Sequence, residues 1–102
     1  MKKQNYFGKN GHGEKIPYIG YIADGGVFAV RLDENSPTYQ RWKIDHLPSG
    51  YYAGYARTRN EAWQIVKETM QAAVENNISL HFLSLDEVSF EHMQVLKKAL
   101  RR

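Results

Sequence analysis

At Thr58 the spacing of the apolar residues changes, and the change limits the chain to folds in which a run of strands precedes helices. From residue 16 onward, β-branched and aromatic residues come in short runs broken by turn residues, and within the runs they alternate with polar ones, the period of a pleated strand. Beyond Thr58, the residues Ala62, Trp63, Ile65, Val66, Met70, Ala73 and Val74 recur at helical spacing and line one side of a helix. Thr58-Arg59-Asn60-Glu61 at the junction has the form of a capping box. In that motif the hydroxyl and the carboxylate satisfy amide groups that the first helical turn leaves unpaired.

Upstream of the junction four strands are expected. Residues 16–23 and 27–32 flank Asp24-Gly25-Gly26, where glycine allows the backbone of a tight hairpin. Residues 33–37 form a loop and 38–46 a third strand, with Gln40, Trp42, Ile44 and His46 on one face and Tyr39, Arg41, Lys43 and Asp45 on the other. The Trp42 face is expected to pack inward and the charged face to meet solvent or a partner. Leu47-Pro48-Ser49-Gly50 then turns the chain into a tyrosine-rich fourth strand over 51–56. Asn76-Asn77 stops the first helix, 78–83 reads as a short fifth, edge strand, and Ser84-Leu85-Asp86-Glu87 repeats the capping-box spacing ahead of a second helix. The fold class is therefore α+β, an antiparallel sheet of three to five strands followed by two helices packed on one face.

A chain of 102 residues holds one core. Residues 16–102 are assigned to a single domain, and residues 1–15, rich in glycine, asparagine and lysine, to a flexible basic arm. The arm has four lysines against Glu14 and so accounts for the formal net charge of +3, while the remainder is formally neutral. Basicity by itself is thus a weak argument for a nucleic-acid partner. The absence of cysteine excludes disulfides, zinc-thiolate sites and a cysteine nucleophile. No apolar run approaches the ~20 residues that span a bilayer, and the first residues lack the apolar stretch of a secretory signal. A cytoplasmic protein without a membrane partner is expected, with homo-oligomerisation left open.

No catalytic residue, metal or cofactor is assigned. Gly8 and Gly13 have part of a phosphate-loop spacing, but Glu14-Lys15 stands where Lys and Ser or Thr are required. His12, His46, His81 and His92 lack the spacing that places two imidazoles on one metal. The outward sheet face has a stronger pattern. Tyr39, Arg41 and Lys43 share it, and Arg31, Tyr51, Tyr52 and Tyr55 are the further residues expected to bind DNA or RNA by stacking on bases and pairing with phosphates. Lys2, Lys3 and Lys9 of the arm and Lys97, Lys98, Arg101 and Arg102 at the C-terminus are accessory basic residues. The competing reading is that tyrosine suits a half-buried strand and that basic residues at a helix C-terminus complement its dipole.

Two resemblances bear on function. Leu47-Pro48-Ser49-Gly50, Gly54, Thr58 and Glu61-Ala62 resemble the HicB-type antitoxin core, which implies neutralisation of a toxin partner and often DNA autoregulation. Thr58, Glu61 and Ala62 after strands bearing Arg31, Arg41 and Lys43 are similar to AP2-like integrase arm-binding domains, which implies a three-stranded sheet in the DNA major groove. A small non-enzymatic nucleic-acid-binding or regulatory protein is the leading expectation, and a protein-binding module such as an antitoxin or inhibitor, with Tyr51, Tyr52 and Tyr55 as its interface core, is the alternative.

Overall fold

Gly25 and Gly26, both at positive φ (89° and 72°), close the hairpin expected at Asp24-Gly25-Gly26, and the structure, a computed structural model describing residues 2–101, is organised around it. The strands are β1 (Gln4–Lys9), β2 (Lys15–Ile22), β3 (Phe28–Leu32), β4 (Trp42–His46) and β5 (Tyr52–Ala56), and the helices are α1 (Arg59–Glu75) and α2 (Phe90–Ala99). Neighbouring strands pair antiparallel in the order β1-β2-β3-β4-β5, so the fold is α+β with the helices after the sheet. Among the described residues no helix is long and apolar enough to cross a membrane.

The helices cover the face that the alternation predicts. Phe28, Val30, Ile44 and Ala56 meet Ala62, Ile65, Val66 and Ala73 of α1 and Leu96 of α2 in one core, against which Trp42 also packs. The Thr58 hydroxyl accepts the Glu61 amide at the start of α1, and Asn77 at φ 56° terminates it.

The N-terminal segment differs from expectation. Residues 4–9 are a strand rather than part of a mobile arm, because the glycine- and asparagine-rich stretch is a hairpin turn. The Asn10 side-chain carbonyl accepts the amides of His12 and Glu14, and Asn10 N donates to the Glu14 carbonyl. Such side-chain-to-backbone bonds hold a turn that composition alone reads as flexible. The resulting strand pairs with β2 from Gln4↔Gly20 to Lys9↔Lys15.

β2 changes partner midway. Its first part pairs with β1, and only Tyr21 and Ile22 pair with β3. At the crossover sits Gly20, where an added Cβ would lie 2.5 Å from the Val30 carbonyl oxygen and 3.2 Å from the Tyr6 ring. Only glycine allows so close a passage. The sheet folds over at this point and lays β1 across its outer face, where the Tyr6 hydroxyl donates to Asp45 Oδ2 of β4 at 2.6 Å and Lys9 N donates to the Gly50 carbonyl at 2.6 Å. The outer face is consequently not the open surface expected. Asp45 is 1% and Lys43 9% exposed.

Two further segments depart from the sequence reading. Residues 38–40 form a 3₁₀ turn after Pro37, leaving β4 to begin at Trp42, because Asp33 holds the loop through the Ser36 hydroxyl and the Asn35 amide. Residues 78–83 add no strand to the sheet. The Ser84–Glu87 capping box is present but closes a single 3₁₀ turn, Leu85–Glu87, and α2 starts afresh with Ser89 as its N-cap.

The bonds to Asp45 give the first test. Asp45→Ala leaves the Arg31 guanidinium buried without its counter-charge and is expected to cost about 3–5 kcal/mol. Tyr6→Phe removes one hydrogen bond to a charged acceptor and is expected to cost about 1.5–3 kcal/mol. Urea unfolding measures both, and a loss for Asp45→Ala no larger than that for Tyr6→Phe would contradict a carboxylate at the centre of the network.

Candidate functional site

Of the residues expected to bind a partner, Arg31 is engaged within the fold. Its Nε donates to Asp45 Oδ2 at 2.7 Å, its Nη2 reaches Oδ1 at 3.5 Å, and the guanidinium lies 3.7 Å from the centroid of the Tyr18 ring. Burial is the largest influence on the Arg31 pKa and opposes the charge, but the hydrogen bond and the charge of Asp45 together outweigh it and raise the pKa. Burial, and then the charge of Asp45, push the Tyr6 phenol far above its ordinary range, so it remains a neutral donor. Tyr6 and Tyr18, paired across β1 and β2, pack ring to ring at 5.9 Å.

The tyrosines at and just before β5 behave differently. Tyr51, Tyr52 and Tyr55 are 36%, 37% and 43% exposed. Tyr52 and Tyr55 are three residues apart and would lie on opposite faces of a regular strand. A bulge opposite Ile44 and Asp45 shifts the register so that Lys43 pairs with Tyr55 and Asp45 with Tyr52, placing both tyrosines on the outer face. The Lys43 ammonium then lies over both rings, 5.4 Å from the Tyr52 centroid and 5.8 Å from that of Tyr55. β1 adds Lys9, whose ammonium is 5.6 Å from the Tyr51 centroid. The outcome is a strip of half-exposed rings along β5, with Lys9 beside it and the buried Lys43 beneath Tyr52 and Tyr55.

The other expected residues are dispersed. Tyr39, 53% exposed, stands on the 3₁₀ turn beside β5, and Arg41 Nε donates to the Ser36 carbonyl at 3.2 Å. Lys2 and Lys3 are exposed ahead of β1. Lys97 and Lys98 belong to the last turn of α2, and Arg101 ties that end to α1 through Glu68 at 3.1 Å. Arg102 lies outside the described residues. Lys97, Lys98 and Arg101 are therefore on the helix layer, apart from Lys43 and Lys9.

His46 is buried on the helix side of β4. Its Nε2 is 2.6 Å from the Leu80 carbonyl, which can only accept, so Nε2 carries the proton and Nδ1 accepts from the Ser49 hydroxyl at 2.7 Å. The ring stacks on Phe82 with centroids 4.2 Å apart. The Ser–His proximity is that of a nucleophile and its base, but the two residues are 1% and 4% exposed, and both imidazole nitrogens are engaged, Nε2 in holding residues 78–83 against the sheet and Nδ1 in the turn after β4. Among the described residues, no three His, Asp or Glu side chains gather as a metal site would require.

No family model, curated protein or solved structure compared with this chain matches it. The HicB-type and AP2-like resemblances accordingly stand on the turn and capped-junction residues that suggested them.

Burial pulls the His46 pKa below its ordinary value of 6.5, with the Leu80 carbonyl opposing this and His81 adding to it. Below that value the unfolded chain binds a proton on this ring that the folded chain excludes. Stability is therefore full above pH 6.5 and declines as pH falls toward the folded pKa. Urea midpoints at about pH 7.5 and about pH 5.5 should show this decline, and His46→Gln should lose part of it. An identical decline in the variant would contradict the assignment.

Proposed function

We propose that the strip of Tyr51, Tyr52, Tyr55, Lys43 and Lys9 binds single-stranded nucleic acid, and that the protein is a non-enzymatic regulatory binder of the cytoplasm. The observation that supports this reading is the row of half-exposed rings along β5, with the Lys9 ammonium of β1 beside Tyr51 and the Lys43 ammonium of β4 against Tyr52 and Tyr55. Unpaired bases stack on aromatic faces while neighbouring cations meet the phosphates. Tyr39 and Arg41, beyond the end of β5, would extend the track.

Duplex DNA suits the strip less well. A sheet that lies in a major groove presents a broad face to the base edges, and here β1 crosses that face while Asp45 holds Arg31. Bases already stacked in a duplex offer tyrosine no ring face.

Fluorescence anisotropy with single-stranded DNA, single-stranded RNA and duplex oligonucleotides tests the proposal. Single strands should bind more tightly than duplex, and affinity should fall with salt by a logarithmic slope of about 0.7 per phosphate contacted. Tyr52→Ala or Tyr55→Ala should weaken binding about tenfold, because stacking contributes roughly 1–3 kcal/mol per base. Lys9→Gln should reduce the salt slope by about 0.7. Binding insensitive to salt, or unchanged in both tyrosine variants, would refute it.

A protein partner is the second reading, of antitoxin or inhibitor type. It draws support from Leu83, Leu85 and Phe90, which are 67%, 55% and 75% exposed, since apolar side chains of this size commonly anchor interfaces. This reading expects an affinity little changed by salt and unaffected by Lys9→Gln.

A further inference from the structure

A cavity of about 300 Å³ lies between β5, α1 and α2, on the opposite side of the sheet from β1. Its walls are mainly apolar, formed by Phe28, Ala53, Leu80, Phe82, Leu96 and Leu100. Besides Lys97, three residues with polar side chains border it, and each is engaged: His46 is bonded to Ser49 and Leu80, the Thr69 hydroxyl donates to the Ile65 carbonyl at 2.8 Å, and the Tyr52 ring lies against the Lys43 ammonium. Among the described residues no buried side-chain nitrogen or oxygen lacks a partner. Water inside would find few groups to bond, and an apolar cavity of this kind is filled more favourably by an apolar body.

The rim adds a charge and a way in. Lys97 is the one formally charged residue among those described that border the cavity, and it is exposed on the last turn of α2. Leu85 also borders the cavity yet is 55% exposed. It belongs to the 3₁₀ turn of the connector between α1 and α2, the wall built without a strand ladder or α-helix. Such a segment opens at low cost compared with the elements around it.

We propose that this cavity binds a small apolar molecule carrying a carboxylate, with the apolar body among Leu80, Phe82 and Leu96 and the carboxylate at Lys97. An apolar cavity of about 150 Å³ holds benzene. Twice that volume therefore accommodates roughly ten to twelve heavy atoms, the size of a medium-chain carboxylate. Tyr52 borders both this cavity and the strip proposed for nucleic acid, but the apolar body and the carboxylate are held by residues outside the strip, so the proposal stands or falls independently of it.

The experiment is a titration of methyl-labelled protein with octanoate, octanol and octylamine, following the methyl resonances of Leu80, Met93 and Leu96. Octanoate should give saturable shifts at these methyls, with affinity at least about tenfold above that of octylamine, which bears a cation at neutral pH. Leu96→Trp should abolish the shifts by filling the space. Lys97→Glu lies on the surface, leaves the core packing unchanged and should reverse the preference between octanoate and octylamine. It keeps the proposal testable if Leu96→Trp does not fold. No saturable shift with octanoate, equal affinity for octylamine, or an unchanged preference in Lys97→Glu would overturn the proposal.

Discussion

The Asp45 carboxylate organises the outer half of this protein. It is almost fully buried, accepts hydrogen bonds from Tyr6 on β1 and Arg31 on β3, and through Arg31 engages Tyr18 on β2. One charged group on β4 thus connects the three strands that precede it. A buried carboxylate is tolerated because an opposite charge and a neutral donor both reach it. Without it, the Tyr6 hydroxyl and the Arg31 guanidinium would lose their partner, and the fold of β1 over the sheet would rest mainly on its ladder with β2 and the bond from Lys9 to Gly50.

The clamp decides which basic residues are on offer. Arg31 and Lys43 occupy facing positions of β3 and β4, but Arg31 is neutralised by Asp45 while Lys43 is covered by two tyrosine rings. The bulge in β5 aligns those rings, and β1, held across the face, brings Lys9 to Tyr51. Packing and binding potential are therefore coupled: the element that removes one basic residue from solvent adds another to the strip. On the helix side, His46 ties residues 78–83 to β4 and forms part of the cavity wall. The sheet in this way supports two surfaces of different chemistry, one aromatic and basic, the other apolar.

Much of the fold is legible in the sequence because it rests on local signals. Alternation at Trp42 and Ile44, glycine at Gly25 and Gly26, and the Thr58 cap each act over a few residues, and each leads to the element observed. The N-terminal strand is hidden because its turn depends on the Asn10 side chain and its anchor, Tyr6, on a residue 39 positions away. For the same reason Asp45 reads as solvent-facing: its partners lie on other strands. The tyrosines of β5 are visible by residue type, but their common face is not, since a bulge reverses the parity of Tyr52 and Tyr55. Gly20 was the available hint of a fold-over, as a glycine inside a strand often marks close passage of another backbone.

Mapping by nuclear magnetic resonance tests the account most directly. On addition of a single-stranded oligonucleotide, amide and side-chain shifts should concentrate at Lys9, Lys43, Tyr51, Tyr52 and Tyr55, with Arg31, Tyr18 and the apolar residues Leu83, Leu85 and Phe90 little changed. Shifts centred on Arg31 and Tyr18, or on Leu83 to Phe90, would contradict a clamped outer face that presents its binding surface along β5.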